Sequence, residues 1–335
     1  LQYGATQAFV YAFTFIGGFL ADKYLGYRKS LFWGGMLMIV GSVILAIDPK
    51  QFFFVGIGFN IIGTGYFKPN ISTMVGSLYK ENDYRRDAGF SMFYAGVNLG
   101  AFIGGYVCIA VANGNLLASV IPQQLRWNAA FGFAAIVMVV SLLTFVKTQK
   151  SLGAIGLTPL GHLAKPKRRI FEVSNYIGSL IAIPLVIIMV SNAEYTNYFM
   201  YTIGPISLLY LFYEMRSFSI AQNKKLLAAL IFILFSIVFW AFFEQSGGSL
   251  SLFAANNLSN TLGGVKVDPN GVNNSANSLF VILFAALIAM VWIWLGKRKM
   301  EPNTIIKFGL AFLFLAGGFY IFYQTKFSAG PNGVT

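Results

Sequence analysis

Charge is scarce in this chain. Only 10% of its 335 residues are Asp, Glu, Lys or Arg, where a soluble domain carries about a quarter. That shortage, beside 57% hydrophobic and 17% aromatic residues, excludes a soluble domain and points to a polytopic membrane protein. Cysteine is nearly absent. Cys108 stands alone in an apolar run, which excludes an intrachain disulfide and a thiolate metal site. Histidine is equally rare: His162 lies in a basic polar stretch and reads as a solvated loop residue. A Ser–His or Cys–His centre needs a histidine where the chemistry happens, and the apolar runs hold none. No metal-ligand cluster or phosphate-cradling loop is visible in the sequence. The expectation is a protein that is not an enzyme and carries no metal or cofactor. Acids are few, 11 against 24 Lys and Arg, for a net charge of +13. In a soluble protein that excess would suggest nucleic acid; here the positions of the basic residues decide.

Apolar runs of about 18–25 residues mark spanning helices. Ten are expected, at about 1–20, 31–47, 51–78, 88–112, 127–146, 174–191, 196–214, 226–254, 278–296 and 304–323. The ten-residue alternation of barrel strands is absent, so the fold class is all-α. Numbering connections from the first helix, the odd ones hold nineteen of the 24 basic residues, clustered around Lys23–Lys29, Lys80–Arg86, Lys147–Arg169, Arg216–Lys225 and Lys297–Lys307. Lys50, Arg126, Lys266 and Lys326 fall on the other side. The asymmetry makes the odd connections cytoplasmic and accounts for the net charge without nucleic acid. Lys147–Arg169 reads as a cytoplasmic linker, a topology determinant whose charge can also touch anionic lipid heads. The Asn-, Gly- and Ser-rich stretch at about 255–277 lies outside. The chain begins at Leu1, with no visible signal peptide.

One basic residue, Lys68, belongs to neither side. It sits inside the third apolar run, in Gly63-Thr-Gly-Tyr-Phe-Lys-Pro-Asn70. A lysine at bilayer depth costs about 3 kcal/mol on insertion scales and is a functional candidate by default. Pro69 removes a backbone hydrogen bond, which bends the helix or frees a carbonyl for a ligand. Other polar groups at depth are Tyr3 and Tyr11, Tyr94 and Asn98 four apart on the fourth helix, Trp240 and Glu244 four apart on the eighth, and Asn277. A cation, a carboxylate, amides and aromatics together suit a zwitterion of variable side chain. The lysine would take its carboxylate, the glutamate its amine, and asparagines a peptide bond. Plainer readings stay open: Glu244 as an interfacial residue, Tyr94 and Trp240 as aromatic packing, Asn98 as an interhelical hydrogen bond. In the loop Gly17–Lys29, Asp22 can complement the next helix's N-terminus, and Arg28 and Lys29 can pair with acids on a neighbouring helix end. Such pairs latch a cytoplasmic gate, unless the loop is simply positive-inside. Most glycines within the helices read as packing sites.

These motifs resemble a family. The Gly17–Lys29 loop is similar to the loop signature of the major facilitator superfamily. Gly63–Asn70 and Phe93-Tyr-Ala-Gly-Val-Asn98 resemble the two signatures of proton-dependent oligopeptide transporters, and Phe239-Trp-Ala-Phe-Phe-Glu-Gln245 resembles their seventh helix. The resemblance implies a partial major facilitator fold of about ten helices out of fourteen. Residues 1–147 would be an N-terminal bundle (family helices 2–6), 148–225 a linker with an inserted hairpin, and 226–335 a partial C-terminal bundle (helices 7–9). It implies truncation at both ends, without the first helix and its Glu-x-x-Glu-Arg motif and without the last three. It implies proton-coupled symport of di- and tripeptides across a bacterial inner membrane, by a multi-pass monomer with protons as coupling ion. The implied substrate contacts are Tyr11, Lys68, Tyr94, Asn98, Trp240, Glu244 and Asn277, with Lys68 and Glu244 in proton coupling. Phe243 stands where some members have a second glutamate, and Ser278 where many have proline. The alternatives are a relative carrying nitrate or another small anion, and a fragment that does not transport.

Overall fold

The computed structural model describes residues 2–80, 85–262, 264–300 and 302–328. Its regular structure is helical apart from one short hairpin among the described residues. The long helices are α1 (Gln2–Leu20), α2 (Tyr27–Ile47), α3 (Phe53–Gly76), α4 (Arg85–Ala112), α5 (Arg126–Thr148), α6 (Lys165–Ser191), α7 (Ala193–Glu214) and α8 (Ile220–Phe243). A short α9 (Ser249–Asn257) follows, then α10 (Pro269–Lys297) and α11 (Thr304–Ser328). Nine of the ten expected spans are each present as one helix, and the span 226–254 is divided between α8 and α9. Eight helical segments among the described residues are long and apolar enough to cross a membrane; α3 and α7 are long but less apolar. The chain is an all-α polytopic membrane protein.

The boundaries differ in several places; α10, for example, begins at Pro269 instead of 278. Lys165–Arg169, expected as linker, forms the first turn of α6, with Pro166 inside its opening turn, where a missing N–H is harmless. α8 starts six residues early, because Ser219 and Gln222 form a capping box. The expected 226–254 helix is broken: a 3₁₀ turn spans Glu244–Gly247, and Gly248 takes φ −109°, ψ −108° before α9 begins. The outer stretch also contains an antiparallel pair, β1 (Thr261–Leu262) and β2 (Val265–Lys266).

Two compact units are distinguished, residues 1–97 with 110–201, and residues 98–109 with 202–335. In the first, α3 is central and packs on α1, α2 and α6, and α2 also packs on α5. Phe9, Leu37, Ile61, Ile62, Tyr66, Ile183, Val186 and Val190 form the buried core. Glycines set the spacing. A Cβ on Gly17 would lie 2.1 Å from the Gly65 carbonyl oxygen, and one on Gly34 would lie 2.6 Å from that of Gly63. Only glycine lets these backbones approach so closely. Surrounded in this way, α3 tolerates a composition that lipid would penalise. Polar stitches reinforce the packing. Trp33 Nε1 donates to Ser179 Oγ (2.9 Å), and Asn128 Nδ2 donates to the Ala46 and Ile47 carbonyls (2.9 and 3.0 Å).

In the second unit, α8 and α9 meet α11 through aromatic pairs: Phe232–Phe308, Phe235–Phe312, Phe242–Phe319 and Phe253–Phe322, with centroids 5.3–6.1 Å apart. Partners ascend together along both segments, so α8 and α11 run parallel. Both therefore start on one side, the side that the lysine and arginine bias makes cytoplasmic. α9 packs on α10.

Candidate functional site

Lys68 is placed by α3, whose helix continues through Pro69. The carbonyl that loses its donor to Pro69 is that of Gly65, four residues back. It is not left for a ligand: the backbone of α1 at Gly17 covers it. Asn70, 1% exposed, donates to the Tyr66 carbonyl (2.7 Å) and the Gly17 carbonyl (3.4 Å). Asn70 thus ties α3 to α1 instead of facing a substrate. Lys68 is exposed, and its ammonium lies 4.8 Å from the ring centroid of Tyr11. Such a contact is worth about 0.5–1 kcal/mol when exposed. Among the described residues of this unit, no carboxylate pairs with Lys68.

Tyr94, also in the first unit, is 54% exposed. Asn98 lies one turn further along α4, is buried, and belongs to the second unit. In that unit Trp240 is half exposed at the end of α8 and meets Phe243 edge-on at 5.1 Å. Glu244 is partly buried and opens the 3₁₀ turn; its N–H donates to the carbonyls of Phe242 and Trp240. Asn277 is exposed on α10, between the buried Ser275 and Ser278. The structure therefore brings together Lys68 with Tyr11, and Trp240 with the turn that carries Glu244.

The loop between α1 and α2 is built differently from a simple set of acid pairs. α1 runs into a π-helical turn (Ala21–Leu25) that ends at Gly26, φ 77°. A side chain there would be strained, and its Cβ would lie 2.5 Å from the Leu157 carbonyl oxygen. Arg28 Nε donates to the Ile155 carbonyl (2.7 Å) and Nη2 to that of Gly153 (2.6 Å). Its partners are backbone oxygens of the linker, not acids. Thr158 Oγ1 donates to the Tyr24 carbonyl (2.9 Å). Lys29 does find an acid, Glu172 on α6, which Arg168 also approaches at 3.6 Å. Asp22 accepts from the Tyr27 hydroxyl. Sequence reasoning missed Glu172; its one signal was that it is the sole acid in a strongly basic helix start.

Comparison with known proteins agrees with this architecture. The family model PTR2, described as the POT family, matches residues 28–327. The peptide transporter YePEPT of Yersinia enterocolitica is 32% identical over 340 residues, covering 95% of this chain and 64% of the relative. A di-/tripeptide transporter of Lactococcus lactis is 32% identical, covering 94% and 63%. The chain thus spans somewhat under two thirds of these relatives. A crystal structure of a mutant peptide transporter with alafosfalin superposes with a TM-score of 0.73 at 31% identity, covering 93% of this chain and 62% of the other. The fold is part of a major facilitator fold, and its setting is a bacterial inner membrane. The chain belongs to the POT family.

Proposed function

We propose that this chain forms the larger part of a proton-coupled symporter of di- and tripeptides that works by alternating access about a midplane site. The observation that carries the reading is Lys68: a cation on the central helix of the first unit, poised over Tyr11 with no acid partner among the described residues of that unit. A peptide carboxylate reaching it makes a charge-assisted hydrogen bond of about 1.5–3 kcal/mol. That exceeds the cation–π contact it replaces, so the substrate displaces the resting partner. Two relatives support the substrate class, the Lactococcus di-/tripeptide transporter and the alafosfalin-bound peptide transporter.

In this reading Tyr11, Tyr94, Asn98, Trp240 and Asn277 complete the substrate site, and Glu244 takes the peptide amine. Protonation of Glu244 removes a negative charge from that site and couples binding to the gradient. Protons are the coupling ion, and the working unit is a monomer. Residues 1–147 and 226–335 act as the two rocking bundles, with 148–225 as linker and inserted hairpin. Asp22, Arg28 and Lys29 hold the cytoplasmic end closed through Tyr27, the linker carbonyls and Glu172.

The test is uptake of labelled alanyl-alanine into vesicles containing the full-length protein under an inward proton gradient. Lys68→Ala is expected to lose gradient-driven accumulation; normal accumulation contradicts the role given to Lys68. Excess unlabelled dipeptide is expected to compete and nitrate is not. Competition by nitrate alone points to the small-anion reading.

A further inference from the structure

The linker's charge and the groove beside it have no place in the transport reading. A cavity of about 370 Å³ opens between α1, α3 and α6 in the first unit, lined mainly by apolar groups including Phe13, Ile16, Leu20, Ile62, Phe171 and Ala182. It follows α6 from Phe171 to Ala182, about 16 Å along the helix axis, a length that suits an acyl chain. Ser174 lies on its rim and also on the rim of a shallower hollow lined by Lys165, Arg169, Ile170 and Val173. Lys165, Lys167 and Arg169 are exposed, and no carboxylate pairs with them among the described residues. Glu172, the acid nearest in sequence, is already engaged by Lys29 and Arg168. This end of α6 is the one that the charge bias places at the cytoplasmic surface, where anionic headgroups attract Lys and Arg.

We propose that the α1–α3–α6 cavity and the basic start of α6 form one binding site for an anionic phospholipid of the inner leaflet. The phosphate sits against Lys165 and Arg169, and one acyl chain lies in the cavity beneath Ser174. A free anion would have no use for the apolar hollow, and a zwitterionic lipid would leave two cations unmatched. The site is independent of the peptide reading.

Native mass spectrometry of the purified protein tests this, with phosphatidylglycerol and phosphatidylcholine of identical chains as probes. The wild type is expected to retain one phosphatidylglycerol about tenfold more tightly than phosphatidylcholine, the larger part of what two basic residues supply at a membrane surface. The double variant Lys165→Gln, Arg169→Gln is expected to lose that preference. Gly178→Leu fills the cavity at a position where a Cβ meets nothing within 4 Å. It should weaken both lipids while keeping their ratio. Equal retention of the two lipids by wild type, a preference that survives the double variant, or unchanged binding in Gly178→Leu overturns the site. So does a doubled protein mass with no lipid adduct, which assigns the groove to a second copy of the chain.

Discussion

α3 and α4 carry similar glycine patterns and use them in opposite ways. On α3, Gly63 and Gly65 each meet the backbone of a neighbouring helix at distances that forbid any side chain. On α4, Gly96, Gly100 and Gly104 recur every fourth residue, yet a Cβ on any of them would meet nothing within 4 Å. Met92, Val97, Leu99 and Ile103 are likewise more than half exposed along α4. A small-residue repeat therefore permits close packing but does not report it. What distinguishes α3 is that its partners carry matching glycines, Gly17 and Gly34, at the heights where the helices cross. The locked helix is also the one that holds Lys68, so the ammonium is presented from a helix packed closely against α1, α2 and α6.

The largest expected effect lies in exchanging the two situations. Gly17→Val pushes a side chain into the Gly65 carbonyl and is expected to destabilise by about 3 kcal/mol or more. Thermal unfolding followed by size-exclusion recovery reads this out. Gly100→Ala should leave recovery unchanged or raise stability by about 0.5 kcal/mol through helix propensity. Equal damage from both would erase the difference between α3 and α4. Next in size, Arg28→Ala removes two charge-assisted hydrogen bonds to the linker, about 2 kcal/mol after allowance for exposure. Limited proteolysis should then cut within residues 149–164 faster than in wild type. Ser179→Ala removes the acceptor of Trp33 and is expected to lower stability by about 1 kcal/mol, seen as a shift in denaturation midpoint.

The helices, their number and their direction could be read from hydropathy and lysine placement, because lipid imposes both on the sequence directly. The parallel run of α8 and α11 agrees with that reading. Lys68 stood out for the same reason, as a charge where the bilayer allows none. The rest depends on contacts between distant residues. Nothing local says that Arg28 reaches carbonyls more than 120 residues away, that Asn70 faces α1, or that the Gly65 carbonyl is already covered. Lys165–Arg169 read as linker because charge hid its helical character. The break at Glu244 was masked by the strongly apolar run before it, although the Gly247-Gly248 pair marks it.

The most direct measurement compares binding of alanyl-alanine and its C-terminal amide to the full-length protein, in wild type and in Lys68→Ala. If Lys68 receives the substrate carboxylate, the wild type prefers the free acid by about tenfold or more, as expected for a lost charge-assisted hydrogen bond. The variant then binds the two ligands nearly alike. The same preference for the free acid in both proteins would contradict the assignment and place the carboxylate elsewhere.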